Sequence, residues 1–150
     1  TNGFLVTLDA RGAPRGRLLR AVDVEGGAVA FNVCWFGTNI WTRKVEDIQR
    51  CPTCCVLYWD RDGMGYLSLS GKASIVELTG PRAPPEAEAL RRAHWPEGCN
   101  WEMFFPDGGG ASPRFALVRF VPETLEIMSI GRGVEAEPNA WRPAVLVRDP

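Results

Sequence analysis

Short apolar runs bounded by turn-forming residues dominate the hydrophobic pattern of this chain. Residues 4–8 lead into an Asp-Ala-Arg-Gly-Ala-Pro turn, residues 17–24 follow, and a Gly-Gly turn connects these to residues 28–33. Runs of this kind are typical of β-strands joined by hairpins. The first part of the chain therefore predicts three strands of an antiparallel meander.

The rest of the chain continues this pattern and predicts four more strands. In one of them, polar Tyr66 and Ser68 alternate with apolar Leu67 and Leu69. This alternation is typical of a sheet that is buried on one face only. The four segments are residues 54–59, 66–76, 115–120 and 124–130, of which the last two are separated by Pro122.

A different periodicity, that of a helix, surrounds Thr42. The apolar residues Trp41, Val45 and Ile48 recur at helical spacing there. A short helix is therefore predicted to begin near Thr42, with the threonine hydroxyl capping backbone N–H groups. It is predicted to end before Pro52, because the residue that precedes a proline is disfavoured in a helix.

The remaining segments complete the predicted fold. Residues 86–95 follow a Pro-Pro pair and predict a second helix, whereas residues 34–41 predict an aromatic-rich connection. The fold class is α+β and mainly β, with six to seven antiparallel strands and two to three short helices. A closed barrel is the economical way to hide the strand edges. One domain, residues 1–150, is predicted: a barrel with its helices over residues 1–130, and a tail over residues 131–150 that docks on the barrel or on a partner.

Composition limits the binding partners and the cellular compartment that are expected for this chain. The chain has 150 residues and a net charge of −1, so neither nucleic acid nor an anionic membrane surface is an expected partner. Five cysteines, an odd number, favour reduced thiols in an intracellular setting, with the cytoplasm preferred. An organelle stays open because the sequence starts at Thr1. Cys51 and Cys54 have CxxC spacing, but no second pair of ligands lies nearby, so no metal site is predicted.

The charge of the first predicted helix suggests a binding site. Arg43 and Lys44 fall in its first turn, where the helix macrodipole disfavours cations. A phosphate group held by backbone N–H groups and these two cations would remove the penalty. The alternative is a solvated helix start without a ligand. No acid–base dyad or activated nucleophile is evident, so no catalytic residue is identified.

Motifs from residue 4 to about residue 130 are similar in order and spacing to those of the FMN-binding split-barrel family. This is the superfamily of pyridoxamine 5'-phosphate oxidase-like proteins, and the general-stress-protein branch, with its blue-light-inducible members, is the most similar. The motifs are Thr7 and Gly12 in a hairpin, residues 14–19, residues 31–34, Thr42-Arg43-Lys44, Cys51-Pro52, residues 66–71, His94-Trp95-Pro96, residues 104–108 and Ser112-Pro113-Arg114.

The resemblance implies FMN bound at a homodimer interface. It assigns the phosphate to four residues: Arg17, Thr42, Arg43 and Lys44. It places Leu18, Leu19, Val33 and Cys34 along the flavin ring, with backbone hydrogen bonds, and adds Tyr66 and Ser68 from a later strand. The implied activity is that of an FMN-dependent oxidoreductase acting on a small molecule. The alternative is a non-catalytic protein that holds flavin, haem or a linear tetrapyrrole in a stress or light response.

Three departures from the family pattern limit the implied activity. Residues 34–41 form a longer connection than is usual in the family, which alters the mouth of the expected pocket. Met128 lies where the family often has an aromatic residue. The C-terminal Arg-x-His of the oxidases that form pyridoxal phosphate is absent, and His94 is the only histidine. Oxidation of vitamin B6 is therefore disfavoured.

Overall fold

The computed structural model describes residues 2–20, 33–94 and 103–148, which form a curled antiparallel sheet with two α-helices. The mainly-β fold class predicted from the sequence is confirmed. The helices are α1 (Arg43–Arg50) and α2 (Ala87–His94). The seven strands in these residues are β1 (Asn2–Leu8), β2 (Pro14–Arg20), β3 (Cys34–Asn39), β4 (Thr53–Asp60), β5 (Gly65–Glu77), β6 (Phe115–Ser129) and β7 (Ala144–Val147).

Among the described residues, the order of the strands leaves an opening in the barrel. The path runs β2-β1-β4-β5-β6-β3, every neighbouring pair is antiparallel, and β7 pairs with β6 beside β3. The two edge strands, β2 and β3, approach each other within 8 Å between Cα atoms. No hydrogen-bonded ladder joins them within the described residues. We call this gap between β2 and β3 the split.

The core lies on the inner face of the curled sheet. Leu5, Val56, Leu69 and Leu125 are directly opposite one another on four adjacent strands, and all are buried. Ile48 of α1 packs into the same cluster, so this helix covers one end of the barrel. Burial of these side chains supplies the main driving force for the fold, about 1.5–3 kcal/mol for each. The helix next to the split is thereby held in place.

Strand β6 is continuous, which corrects the prediction of two strands separated by Pro122. Ser70 lies opposite Thr124 while Gly71 lies opposite Pro122, so Glu123 is the extra residue of a β-bulge. The bulge accommodates the proline without ending the strand. A Cβ atom at Gly71 would lie 2.1 Å from the carbonyl oxygen of Val121, so only glycine fits opposite the bulge.

Strand β3 corrects a second prediction. The sequence suggested a long aromatic connection over residues 34–41, but Cys34–Asn39 pairs with the first part of β6. Phe36 and Thr38 point to the buried side, and Trp35 packs on a second cluster under α2, so the aromatics alternate as in a strand. The strand predicted over residues 28–33 lies, apart from Val33, outside the described residues.

The end of the chain pairs with the barrel. β7 lies against Thr124–Ile127 of β6, on the same edge that β3 occupies further along. The division into one domain and a tail stays a prediction. Neither helix in the described part of the chain has the length and apolar character that crossing a membrane requires.

Candidate functional site

A half-buried lysine lies at the split. Lys44, in the first turn of α1, donates from Nζ to Oγ1 of Thr38 at 3.0 Å and to Oγ1 of Thr42 at 3.2 Å. No carboxylate within the described residues forms an ion pair with it. Burial, together with the nearby Arg17 guanidinium, lowers the pKa of Lys44 to about 8. An ammonium group that is desolvated and lacks an anionic partner favours the approach of an anion.

The neighbouring arginine comes from the opposite edge of the split. Arg17 on β2 donates from Nη1 to Oγ1 of Thr7 at 2.8 Å, and its Nη2 lies 3.4 Å from Oδ2 of Asp47. Thr38, which accepts from Lys44, belongs to β3. The two cations therefore come from β2 and α1, and a hydroxyl group that binds the lysine comes from β3. We call Arg17, Thr38, Thr42 and Lys44 the cationic cluster.

Thr42 has a different role from the predicted one. It occupies the N-cap position, with φ −88° and ψ 148°, yet its hydroxyl makes no capping hydrogen bond. Instead Oγ1 donates to the carbonyl of Asn39 at 2.8 Å and accepts from Lys44. The lysine competes for the hydroxyl oxygen, so the prediction of a side-chain cap was wrong. The backbone N–H groups at this helix start consequently lack that cap.

Four of the predicted site residues belong to the cationic cluster or its vicinity. Arg17, Thr42 and Lys44 are part of the cluster, and Arg43, beside them in sequence, is exposed and forms no ion pair within the described residues. Leu19 and Cys34 lie on the two facing edges of the split and pack against the main core. Val33, half-buried, directly precedes β3.

Three predicted site residues, Leu18, Tyr66 and Ser68, lie on the outer surface of the sheet. Leu18 lies opposite Phe4, Phe4 opposite Leu57, and Leu57 opposite Ser68, so these side chains share the outer surface of the sheet. Tyr66 is on the same surface and donates its hydroxyl to Glu126 at 2.6 Å. Ser68 and Tyr66 are three strands away from β2, a distance of roughly 14 Å. A single chain does not bring these two residues to the cationic cluster.

The outer surface that carries Tyr66 and Ser68 is unusually apolar. Trp59 is 70% exposed, Leu18 58% and Phe4 45%, and no helix within the described residues covers them. Large apolar patches mark interaction sites in soluble proteins, and Phe4 and Leu18 are directly opposite each other on this surface. We call it the outer face; its exposed apolar members are Phe4, Leu18, Trp59, Val145 and Val147.

Sequence reasoning missed two residues at the site. Asp47 is only 1% exposed, although an aspartate in a helix usually faces water. Its position next to the buried Ile48 was a usable signal, since both fall on the covered side of α1. Thr38 was missed because residues 34–41 were interpreted as a connection. The alternation of its neighbours was the signal for a strand.

The cysteines, a metal site and His94 are the other candidates, and they provide weaker evidence of a functional site. Cys54 is buried in the core, which raises its pKa to about 11, and no disulfide joins it to Cys51. Among the described residues, no three His, Cys, Asp or Glu side chains are placed to hold a metal ion. His94 stacks on Trp35 with ring centroids 5.0 Å apart, and burial lowers its pKa. Its neighbour Trp95, like Cys99, lies outside the described residues.

The curled antiparallel sheet, open between β2 and β3 and bordered there by a cationic cluster, defines a split-barrel protein. The family model for pyridoxamine 5'-phosphate oxidase matches residues 1–129. The chain therefore belongs to that family, and the resemblance noted in the sequence is confirmed. No curated protein matches the chain.

Solved structures agree on the fold. An FMN-binding protein related to pyridoxamine 5'-phosphate oxidase, from Nostoc punctiforme, has a TM-score of 0.71 at 17% identity, with coverage of 99% of this chain and 88% of that one. General stress protein 26 from Bacillus anthracis gives 0.67 at 18%, with 98% and 88% covered. A haem-binding protein from Mycobacterium smegmatis gives 0.61 at 15%, with 97% and 52% covered.

Proposed function

We propose that this protein binds FMN, with the phosphate group at the cationic cluster. The observation that carries the proposal is Lys44: a half-buried ammonium group held by two threonine hydroxyls, with Arg17 nearby and no carboxylate partner in the described residues. A phosphate dianion supplies the negative charge that the described residues do not, and charge-assisted hydrogen bonds are the strongest that such a site can form. Arg43, exposed beside the cluster, adds a further cation.

The flavin ring is assigned to the split, beside the phosphate. Leu18 and Leu19 lie on the edge of β2, and Cys34 on the edge of β3, with Val33 just before it. Within the described residues no ladder joins β2 to β3, and a flavin ring has acceptors and donors that can pair with the backbone of an edge strand. The four residues assigned to the ring by family resemblance therefore border one gap.

A homodimer explains the position of the remaining residues. Tyr66 and Ser68 are on the outer face, too far across the sheet to join the cationic cluster of their own chain. If the outer face packs against a second copy of the chain, these two residues become available to the partner's flavin. The exposed Trp59 and Leu18 supply the apolar surface that such an interface requires.

The proposed activity is that of an FMN-dependent oxidoreductase acting on a small molecule. FMN supplies the redox chemistry, and the protein supplies binding and orientation. The side chains at the cluster are cations and hydroxyls, which suit anion binding.

The test uses the two lysines of the chain as a matched pair. Lys44→Met should weaken FMN binding by about tenfold to a hundredfold, since a hydrogen bond to a charged group is worth about 1.5–3 kcal/mol. Lys72→Met, which removes an exposed lysine paired with Glu123, should leave the affinity unchanged. Binding is measured by fluorescence quenching of added FMN. A wild-type protein that binds FMN no better than riboflavin would contradict the proposal.

The visible spectrum of the purified protein distinguishes the proposed cofactor from the alternatives. Bound FMN gives a flavin spectrum that is released on denaturation, whereas haem gives a Soret band. The haem-binding neighbour makes the second outcome worth recording. Anaerobic addition of NADH or NADPH then separates an enzyme from a carrier, because bleaching of bound FMN indicates electron transfer and an unchanged spectrum indicates a binding role.

A further inference from the structure

Asp47 is a nearly inaccessible carboxylate on the covered side of α1. It is 1% exposed, and four side chains contact it. Thr7 donates to Oδ2 at 2.9 Å, where Arg17 lies at 3.4 Å, while Arg15 and Arg50 approach Oδ1 at 3.3 Å and 3.7 Å. A carboxylate is this deeply buried only where hydrogen bonds and opposite charges compensate for lost hydration.

The three arginines do not depend on Asp47 equally. Arg15 has a second carboxylate, Asp9, at 3.1 Å, and Arg50 is half-exposed to water. Arg17 is the most buried of the three, and its partners are Asp47 and Thr7. The orientation of the Arg17 guanidinium is therefore the feature most sensitive to the carboxylate of Asp47.

The contacts between Arg17, Thr7 and Asp47 form a closed ring. Nη1 of Arg17 donates to the Thr7 hydroxyl, that hydroxyl donates to Asp47, and Asp47 accepts from Nη2 of Arg17. Both terminal nitrogens of the guanidinium are thereby held. Because a guanidinium has five N–H donors, three remain for other acceptors.

We infer that Asp47, acting with Thr7, is a positioning residue that fixes the guanidinium of Arg17 at the split, so that Arg17 and Lys44 select a ligand carrying a phosphate monoester. The inference rests on the proposed function and deepens it. A held guanidinium loses less conformational freedom when it binds an anion than a mobile one does. The ring therefore acts on phosphate affinity and leaves contacts to the rest of the ligand unchanged.

The experiment compares FMN with riboflavin, which lacks the phosphate. Asp47→Asn should weaken FMN binding by about tenfold, the usual scale for a hydrogen bond to a charged group, with riboflavin binding unchanged. The ratio of the two affinities is the readout, because a merely structural defect would lower both. Asp60→Asn, which removes a carboxylate paired with Arg132 in a turn far from the split, is the matched control and should keep the wild-type ratio.

A second pair of variants covers the case in which Asp47→Asn does not fold. Thr7→Val removes the bridging hydroxyl from a buried position with little change in shape, and Thr7→Ser restores it. The valine variant should lose FMN selectivity over riboflavin, and the serine variant should keep it.

The outcomes separate this inference from the proposed function. A wild-type protein without selectivity for FMN over riboflavin overturns both. A selective wild type together with equally selective Asp47→Asn and Thr7→Val variants overturns the positioning role alone. Loss of selectivity in the variants at unchanged riboflavin affinity supports it.

Discussion

At the scale of single residues, Lys44 links folding to binding. Its ammonium group is desolvated in the folded chain and also lies near the Arg17 guanidinium, so its pKa falls from the ordinary lysine value of 10.5 to about 8. The unfolded chain therefore holds this proton more tightly than the folded one does. Below pH 8, the charge on Lys44 lowers the free energy of unfolding by its full amount. This destabilisation disappears as the pH rises from 8 toward 10.5.

This linkage predicts a difference in pH dependence between the wild type and Lys44→Met. Without flavin, the free energy of unfolding of the wild type should rise by about 2 kcal/mol between pH 8 and pH 10 relative to that of the variant. The methionine has no proton to lose, and all other groups are common to both proteins. Urea unfolding at several pH values measures it. Parallel pH profiles would show that Lys44 is not desolvated.

At the scale of elements, β3 has the largest consequence for the site. It brings Thr38 to Lys44 and forms one edge of the split. The fully buried Phe36 anchors this strand in the main core. Its side chain therefore tests whether the segment is a packed strand or a surface connection.

Phe36→Ala should lower the free energy of unfolding by about 3–5 kcal/mol, because it removes a buried ring and leaves a cavity. Trp41→Ala is the control. Trp41 is exposed and stacks under Arg114, with the guanidinium carbon 4.3 Å from the ring centre, so its loss should cost about 1 kcal/mol or less. Chemical denaturation compares the two. If both variants lose only a little stability, and equally, residues 34–41 form a surface connection and not a packed strand.

Gly71 carries a second test at this scale. Its missing Cβ makes room for the carbonyl of Val121 at the bulge, so Gly71→Ala should lower the free energy of unfolding by about 1–3 kcal/mol or more. Gly16→Ala is the matched control on edge strand β2, where an added Cβ meets no atom within 4 Å, and it should change stability by less than about 0.5 kcal/mol. Thermal unfolding of both variants measures the contrast. Similar melting temperatures would contradict the bulge geometry.

The sequence pattern predicted those elements whose boundaries depend on residues close together in the chain. The boundaries of α1 follow from Thr42 and Pro52, and the strand alternation around Ser68 matches β5. The continuity of β6 could not be predicted, because a proline inside a strand is tolerated only with a bulge that pairing to β5 creates. Nor could the partners of Asp47 be predicted, since Thr7 and Arg17, which compensate for its burial, are 40 and 30 positions away in sequence.

At the scale of the whole molecule, the sheet presents two different surfaces. The inner face is closed by its own side chains and by α1, whereas the outer face leaves Trp59 70% exposed in a chain with a net charge of −1. The residues of the cationic cluster border the split, and Tyr66 and Ser68 belong to the outer face. In the proposed homodimer these residues come together from two chains, so assembly and cofactor affinity are expected to change together.

This coupling predicts the behaviour of Trp59→Glu. In the proposed dimer the glutamate would bury a charge in an apolar interface, and an interfacial tryptophan often contributes about 2 kcal/mol or more, so dimer dissociation should rise by at least about thirtyfold. FMN affinity should fall in the same variant even though every residue of the cationic cluster is intact. Sedimentation equilibrium gives the assembly state, and fluorescence titration gives the affinity. Ala89→Glu adds the same charge at an exposed position of α2, away from the outer face, and should leave both quantities unchanged. If the wild type is monomeric and the Trp59→Glu variant binds FMN with the same affinity, one chain holds the whole site and the prediction is wrong.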